Sequence, residues 1–513
     1  MKKFLINDSP WETRIAITRD GLLQNVYFDS HTAHQLERNY FKALVTKVLP
    51  GIQTAFVDIG QERSGFLHIS EIDRELALAR MAPVSDEGDE EEFEEDEEHP
   101  KAPTINRRNI DITKILKEGE YILVQVSKEP IYEKGAKLST CFTLPGRFIV
   151  LMPNIPRIGI SKKIGSFEER TRLRDFLKTN LPEGMGAIIR TTASESSEKE
   201  ILRDLKSLVS TWHTIQERFQ KATGVEKLYE DIDLTLQIVR DNLDTDVEAV
   251  VCDSRASESH IYKFLKDHAP ELAPVVQFYD GHPSLFEKYD IDKQVEQALQ
   301  SRVSLKSGGS IIIETTEAMT VIDVNTSRFT GSSNGTMEDT ILKTNLEASD
   351  EIVRQLRLRN FGGLIVIDFI DMASNANRQR LFKHFEKALK DRDKFQSVVL
   401  KISEFGLVQM TRKRSGKTLL QQLTSTCLCC GGAGFVKSIR NEAYTILRKI
   451  KEELATGRIS GNITLAVHEH TFNYLINTEY NAILSLEKEF RCKITLTVHE
   501  TTRLNVFVAT AKK

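Results

Sequence analysis

The chain has 513 residues, 40% hydrophobic and 28% charged, which describes a globular protein too long for one core and expected to form two to four domains. No apolar run nears the roughly 18 residues of a membrane helix, and Met1 to Ile6 is followed at once by Asn7-Asp8-Ser9-Pro10 rather than by a signal-peptide core, so a cytoplasmic protein without a membrane span is expected. The formal net charge of −4 hides a basic body: Asp86 to Glu98 holds 11 acidic residues among 13, and setting those charges aside leaves +7, a balance suited to a polyanion partner.

The first 30 residues alternate polar and apolar through Thr13 to Thr18, turn at Asp20-Gly21 and resume at Leu22, which predicts a hairpin. From Tyr40, several short strands with glycine turns predict a small barrel. The acidic run interrupts it before what reads as its last strand, Tyr121 to Ser127, and is expected to loop out as a disordered insertion. Gly51 to Gly60, with Ala55-Phe56-Val57-Asp58, and then Gly65-Phe66-Leu67-His68 resemble the pattern of an S1-like OB-fold. That resemblance implies that Phe56 and Phe66 face single-stranded nucleic acid, with His68 and Lys128 nearby. Aromatic stacking serves any base, at about 1 to 3 kcal/mol per base; the alternative is that both phenylalanines fill the barrel core.

Further β-type residues run from Ser139 to Val150, followed by the basic Ser161-Lys162-Lys163 and an amphipathic helix around Glu168 to Leu177. The strand Ala187-Ile188-Ile189 then delivers Arg190 and Thr191. A guanidinium beside a hydroxyl can anchor a terminal phosphate through paired hydrogen bonds, although most such pairs are ordinary surface residues. Helices are expected over residues 198–222 and Leu234 to Asn242. The strand Val247 to Cys252 belongs to an α/β unit able to pair with the N-terminal hairpin.

The stretch from Gly309 to Met372 holds two apolar runs that end in aspartate. One passes from Ile311-Ile312-Ile313 through Thr320-Val321-Ile322 to Asp323 and Asn325; the other is Leu364-Ile365-Val366-Ile367, ending at Asp368. Each reads as a buried strand with a carboxylate at the sheet's rim, where α/β proteins place ligands. Side by side, the two carboxylates would need a cation or a shared proton between them, and magnesium, which takes oxygen ligands and keeps waters, suits them. Alternatively each aspartate caps a turn or a helix. Helical patterns at Thr340 to Leu358, ending in Arg354, Arg357 and Arg359, and at Asn377 to Lys390 put cationic residues beside the pair, as a phosphodiester substrate requires.

Six cysteines are too few for a disulfide scaffold, but three crowd into Cys427-Leu428-Cys429-Cys430, followed by Gly431-Gly432-Ala433-Gly434. Two thiolates with two residues between them and glycines behind form half of a tetrahedral zinc site, and no second such pair exists. Histidines or a second protomer would complete it, unless the thiols are redox-active or incidental. The tail reads as a helix from Glu442, a strand from Asn462, a helix over Thr471 to Phe490 and two closing strands.

Together, Glu314 to Thr320, Ile322-Asp323-Val324-Asn325, Asn345-Leu346-Glu347-Ala348, Arg354 to Arg359, Gly362 to Met372 and the cysteine knuckle resemble the ribonuclease E/G family over nearly the whole chain, and its shorter members more than those with a scaffold-binding C-terminal half. The fold so implied is multi-domain α/β and α+β: RNase H-like pieces at 1–35 and 235–298, an inserted S1-like OB barrel at 36–138, a 5′-sensor at 139–234, a DNase I-like catalytic region at 299–420, a zinc link at 421–436 and a small C-terminal domain at 437–513. Asp323 and Asp368 match the family's Mg2+ ligands, with Asn325 supporting catalysis beside them. Arg190 and Thr191 match its 5′-monophosphate pocket, and Cys427 and Cys430 match thiolates that share one Zn2+ between two subunits. Three positions depart from the family pattern: Leu428 replaces proline, with Cys429 as a third thiol; Thr192 replaces alanine; and the acidic insertion is extra.

The expected function is hydrolysis of single-stranded RNA by a magnesium-dependent endoribonuclease, stimulated by a 5′-monophosphate and leaving 5′-phosphate ends. Expected substrates are rRNA precursors and mRNA, and the expected assembly is a homodimer or homotetramer. The rival is a non-catalytic S1-type RNA-binding factor whose carboxylates only stabilise the fold.

Overall fold

The computed structural model describes residues 1–31, 35–73, 111–130, 135–161, 164–194, 196–243, 246–326, 337–403, 406–414, 416–499 and 507–512. The acidic stretch Asp86 to Glu98 and the pair Lys162-Lys163 lie outside them. The chain forms two compact bodies, Met1–Arg414 and Ser415–Lys513. No described helix is long and apolar enough to cross a membrane.

In the first body, Lys2–Asp8, Glu12–Arg19 and Leu22–Ser30 form an antiparallel meander. Its first strand then pairs in parallel with Val247–Cys252, which pairs in turn with Val276–Phe278. One sheet is thus assembled from segments far apart in sequence, because Phe4, Ile6, Ile15, Val250 and Cys252 bury a common apolar face. Between those segments lies a barrel whose strands Tyr40–Leu49, Thr54–Asp58, Gly65–His68, Lys137–Ser139 and Tyr121–Lys128 follow one another around the sheet; pairing of the first with the last closes it. Tyr121–Lys128 is therefore not its last strand in the chain, since Lys137–Ser139 follows it and separates it from Gly65–His68. A three-residue strand carries too little periodicity to be read in advance.

A four-stranded sheet follows, in the order Ile158–Ile160, Gly186–Ile189, Ile149–Met152, Leu144–Pro145. The helices Phe167–Asn180 and Glu198–Lys221 pack on it. The longer one begins where Ser197 and Glu200 satisfy each other's backbone N–H groups, a capping box.

The six-stranded sheet runs Arg302–Ser304, Ser310–Thr315, Met319–Asn325, Gly363–Asp368, Leu407–Arg412, Ser397–Val399. The apolar stretch from Ile311 to Ile322 is two strands rather than one: Ser310–Thr315 folds back on Met319–Asn325 through a turn in which Thr316 bonds Met319. The helix Met337–Leu358 crosses from Met319–Asn325 to its parallel neighbour Gly363–Asp368, and with Asn375–Arg392 it buries one face of the sheet through Leu356, Ile365, Ile367 and Phe385. On the other face Met319, Val321 and Leu364 stay exposed.

The three arginines at the end of that helix do not flank the carboxylates as expected. Arg354 bonds the Leu23 carbonyl and Glu351, Arg357 bonds Asn25, and Arg359 is buried on Gln355. They tie the helix to the Leu22–Ser30 strand and to itself. Burial pulls the Arg357 guanidinium below its ordinary range and brings that of Arg359 down to about 10.

The second body holds the cysteine knuckle, the helix Ile439–Ala455 and a three-stranded sheet in which Asn462–Val467 lies between Lys493–Val498 and Phe507–Lys512. The expected helix over Thr471 to Phe490 is two helices, Glu469–Asn477 and Tyr480–Phe490, broken at Thr478-Glu479, where no apolar residue holds the helical stripe.

Among the described residues the most enclosed ion pair joins Arg412 to Asp393 in a two-pronged contact at 2.6 and 3.0 Å, with 1% and 2% of the side chains exposed. Arg412→Ala takes the guanidinium away from the buried Asp393 carboxylate and should lower stability by about 3 to 5 kcal/mol. Urea unfolding of the intact chain measures this, and a loss below about 1 kcal/mol would place the pair among solvent-screened ones.

Candidate active site

Asp323 and Asp368 are direct register partners on parallel neighbours. Strands in a sheet lie about 4.8 Å apart, so the two carboxylates leave the sheet side by side. The alternation of each strand sets their direction: Ile322, Val324 and Ile367 are buried, whereas Asp323 is half-buried and Asp368 exposed. Asn325, two residues on and so on the same face, donates from Nδ2 to Asp323 Oδ2 at 2.6 Å. The Asp368 carboxyl is held above its ordinary value by burial first, then by repulsion from Asp323 and Asp371. Asp371 comes close through the backbone of Gly406, whose φ of +76° favours glycine and where a Cβ would stand 2.8 Å from Asp371 Oδ1.

The loop after Asp368 is set by a residue whose role the sequence pattern did not reveal. Asn345, fully buried in the Met337–Leu358 helix, donates to the Ile370 carbonyl at 2.8 Å and accepts the Ile370 N–H at 3.1 Å. An amide in the apolar stripe of a helix is the signal, because a buried polar group must find partners. Two aligned carboxylates and an amide form a hard-oxygen donor set, which fits a magnesium ion that keeps several waters. Among the described residues no group of three or more His, Cys, Asp or Glu side chains is gathered for a metal, so a cage made wholly of protein ligands is not what this face offers.

On the barrel, Phe56 faces Phe66 across an antiparallel pair, Phe66 is in register with Lys137, and Lys137 with Lys128. Two aromatic and two cationic side chains thus form one row over four strands. Phe56 is 37% exposed and Phe66 half-buried, while their neighbours Ala55, Val57 and Leu67 fill the core, so neither ring is a core residue. His68 sits two positions from Phe66, on the same face. Lys137, absent from the sequence-based set, is ion-paired with Glu71.

Arg190 follows the Gly186–Ile189 strand. Its Nη1 donates to the Gly146 carbonyl and to Asp241 Oδ1, both at 2.7 Å. Thr191 beside it is exposed, and Thr192 Oγ1 donates to the Arg147 carbonyl at 2.6 Å. Burial, the largest single influence, pushes the Asp241 carboxyl up, yet Arg240 and Arg190 together hold it below the usual range. Asp241 is a second positioning residue that sequence patterns missed, and an acidic residue on the facing Leu234–Asn242 helix left no periodic signal.

In the second body, Cys427 and Cys429 are exposed and Cys430 half-buried. The backbone amides of Gly434 and Gly432, and then the Cys427 thiol, lower the Cys430 thiol's pKa. Gly431, Gly432 and Gly434 have φ of +59°, +89° and +77°, conformations that let amides approach sulfur and that side chains disfavour. Two thiols so placed fit half of a zinc site.

Replacing Asp323 by Asn removes the neighbouring charge, so Asp368 should titrate at lower pH in the variant than in the parent. Carboxyl-carbon NMR of labelled aspartate reads both midpoints, and equal midpoints would show that the carboxylates do not interact.

Two family models match the chain: "Ribonuclease E/G family" over residues 143–415 and "RNase E/G, Thioredoxin-like domain" over residues 426–510. Ribonuclease G of Salmonella typhimurium (strain SL1344) is 37% identical over 448 residues, 87% of each chain. Ribonuclease G of Haemophilus influenzae is 38% identical over the same length. Ribonuclease E of Haemophilus influenzae is 36% identical over 504 residues, covering 98% of this chain and 51% of that protein. With more than half of its residues matched by the first model and most of its length aligned with these relatives, the chain belongs to the ribonuclease E/G family.

Proposed function

We propose that this protein is a cytoplasmic endoribonuclease that hydrolyses single-stranded RNA with Asp323 and Asp368 as magnesium ligands. The observation that carries the reading is the register pairing of the two carboxylates, with Asn325 bonded to one of them, in a family of ribonucleases. When bound, the metal polarises the scissile phosphate and lowers the pKa of an attacking water. Asp323 and Asp368 supply charge and oxygen donors, and Asn325 fixes Asp323 through its amide. Because the Asp368 carboxyl is raised, acid protonates it early, so cleavage should fall as pH drops through that raised value and recover above it.

The row Phe56, Phe66, Lys137, Lys128 supports a strand-gripping role in which bases stack on the rings and phosphates meet Lys128, Lys137 being held by Glu71, with His68 beside them. Arg190 and Thr191 serve as the 5′-monophosphate anchor, Arg190 being oriented by Asp241. Cys427 and Cys430 hold one zinc jointly with the same pair of a second copy, in a homodimer or a homotetramer. The sheet containing Lys2–Asp8 and Val247–Cys252 is the RNase H-like piece, and the six-stranded sheet the DNase I-like one. Substrates of this class are rRNA precursors and mRNA. A non-catalytic S1-type binding factor would have no use for paired carboxylates on an open sheet face.

Cleavage of a 5′-monophosphorylated oligonucleotide in magnesium tests the centre. Asp323→Asn and Asp368→Asn should each slow cleavage by at least about 100-fold, the scale of a lost charge-stabilising group, with RNA affinity retained; parent-like rates would defeat the assignment. Arg190→Gln should erase the preference for a 5′-monophosphate over a 5′-hydroxyl while leaving 5′-hydroxyl substrates cut as before. For the zinc link, the expectation is about half a zinc per chain and loss of assembly in Cys427→Ser; one zinc per chain would rule out sharing.

A further inference from the structure

The strand register orders the open face of the six-stranded sheet, the face that carries Asp323 and Asp368, into rows. Arg302 opposes Ile312, Ile312 opposes Asp323, and Asp323 opposes Asp368. Directly opposed residues project to the same face, so one row runs from Arg302 on the edge strand to the carboxylate pair. The alternation of the edge strand agrees: Val303 packs against the core, while Arg302 and Ser304 are exposed. At about 4.8 Å per strand, the Arg302 backbone lies roughly 10 Å from that of Asp323.

The donors of this guanidinium are uncommitted. Arg302 makes no ion pair and no side-chain hydrogen bond among the described residues, whereas Arg354, Arg357 and Arg359 donate internally. It is also the one cation that the described strands put on this face, against Asp323, Asp368 and Glu314. A polyanion approaching these carboxylates is repelled. A cation at the pair offsets this at the cleaved linkage, but the linkages beside it need positive charge from the protein itself. A charge on an edge strand also discourages pairing with another sheet, yet that purpose is indifferent to which row the charge occupies.

We infer that Arg302 binds a phosphate of the RNA strand beside the cleaved linkage, so that the strand crosses the sheet along the row Arg302, Ile312, Asp323, Asp368. The inference rests on Asp323 and Asp368 being the cleavage centre. A guanidinium offers a phosphate two parallel hydrogen bonds, and such contacts fix the register of the strand without reading its bases. The contact is the same before and during reaction, so its loss appears in KM rather than in kcat.

A 5′-hydroxyl RNA with a single cleavage site, cut by the full chain in magnesium, tests this. Arg302→Gln should raise KM by at least about 3-fold with kcat unchanged, and Arg302→Lys, which keeps the charge, should fall between parent and Arg302→Gln. Uncharged methylphosphonate linkages, placed singly within about two nucleotides of the cleaved bond, locate the partner: at one position neutralisation should cost the parent at least about 3-fold in kcat/KM and cost Arg302→Gln nothing more. Losses that multiply at every position, or a parent-like KM in Arg302→Gln, overturn the contact. Binding of the same RNA in EDTA gives a readout independent of cleavage: the slope of log affinity against log salt should be shallower by about 1 in Arg302→Gln. An unchanged slope overturns the contact as well. Parent-like cleavage by Asp323→Asn and Asp368→Asn together with the shallower slope would defeat the cleavage centre while leaving Arg302 as a contact to RNA.

Discussion

Repulsion between two carboxylates held in register is the constraint from which the rest of the candidate centre follows. At the spacing of neighbouring strands it is worth roughly 1 to 3 kcal/mol, depending on how far water screens it. A fold does not keep such a pair unless the backbone enforces it. Here the enforcement is extensive: a parallel ladder, a long crossover helix packed on the sheet and a buried asparagine gripping the turn beyond Asp368. On the proposed magnesium reading, a cation on this face would offset that repulsion.

Much of this was legible in the residues. The apolar runs ending at Asp323 and Asp368, the Phe56 and Phe66 pattern and the cysteine knuckle are local signals, because strand periodicity and glycine-rich turns are written over a few adjacent positions. What stayed hidden depends on partners distant in sequence. Asp241 and Asn345 act through residues 51 and 25 positions away. Lys137 joins its row only because a three-residue strand completes a barrel.

The arginines show the converse error. Arg354, Arg357 and Arg359 look like a phosphate-binding cluster when only spacing is known. Each instead donates inside the protein, to Leu23, Asn25 and Gln355, and so is turned away from substrate. A cationic cluster near an acidic pair is therefore informative only once the acceptors around it have been counted, since a guanidinium with five N–H groups serves as readily as an internal tie as a ligand for substrate. Arg190 and Arg240 illustrate the point: both donate to the Asp241 carboxylate, and each donates as well to a backbone carbonyl, of Gly146 and Pro145 respectively.

The composite first sheet bears on how the molecule is made. Asn7 meets its partner Asp253 across 246 residues, so the N-terminal meander leaves the ribosome with its Lys2–Asp8 edge uncovered. At about 5 to 20 residues per second, the covering strand arrives roughly 10 to 50 seconds later. During that interval the barrel and the four-stranded sheet can form, each around its own core. Until then the edge of Lys2–Asp8 presents unpaired backbone N–H and C=O groups, a template for pairing with another chain that the finished sheet no longer offers.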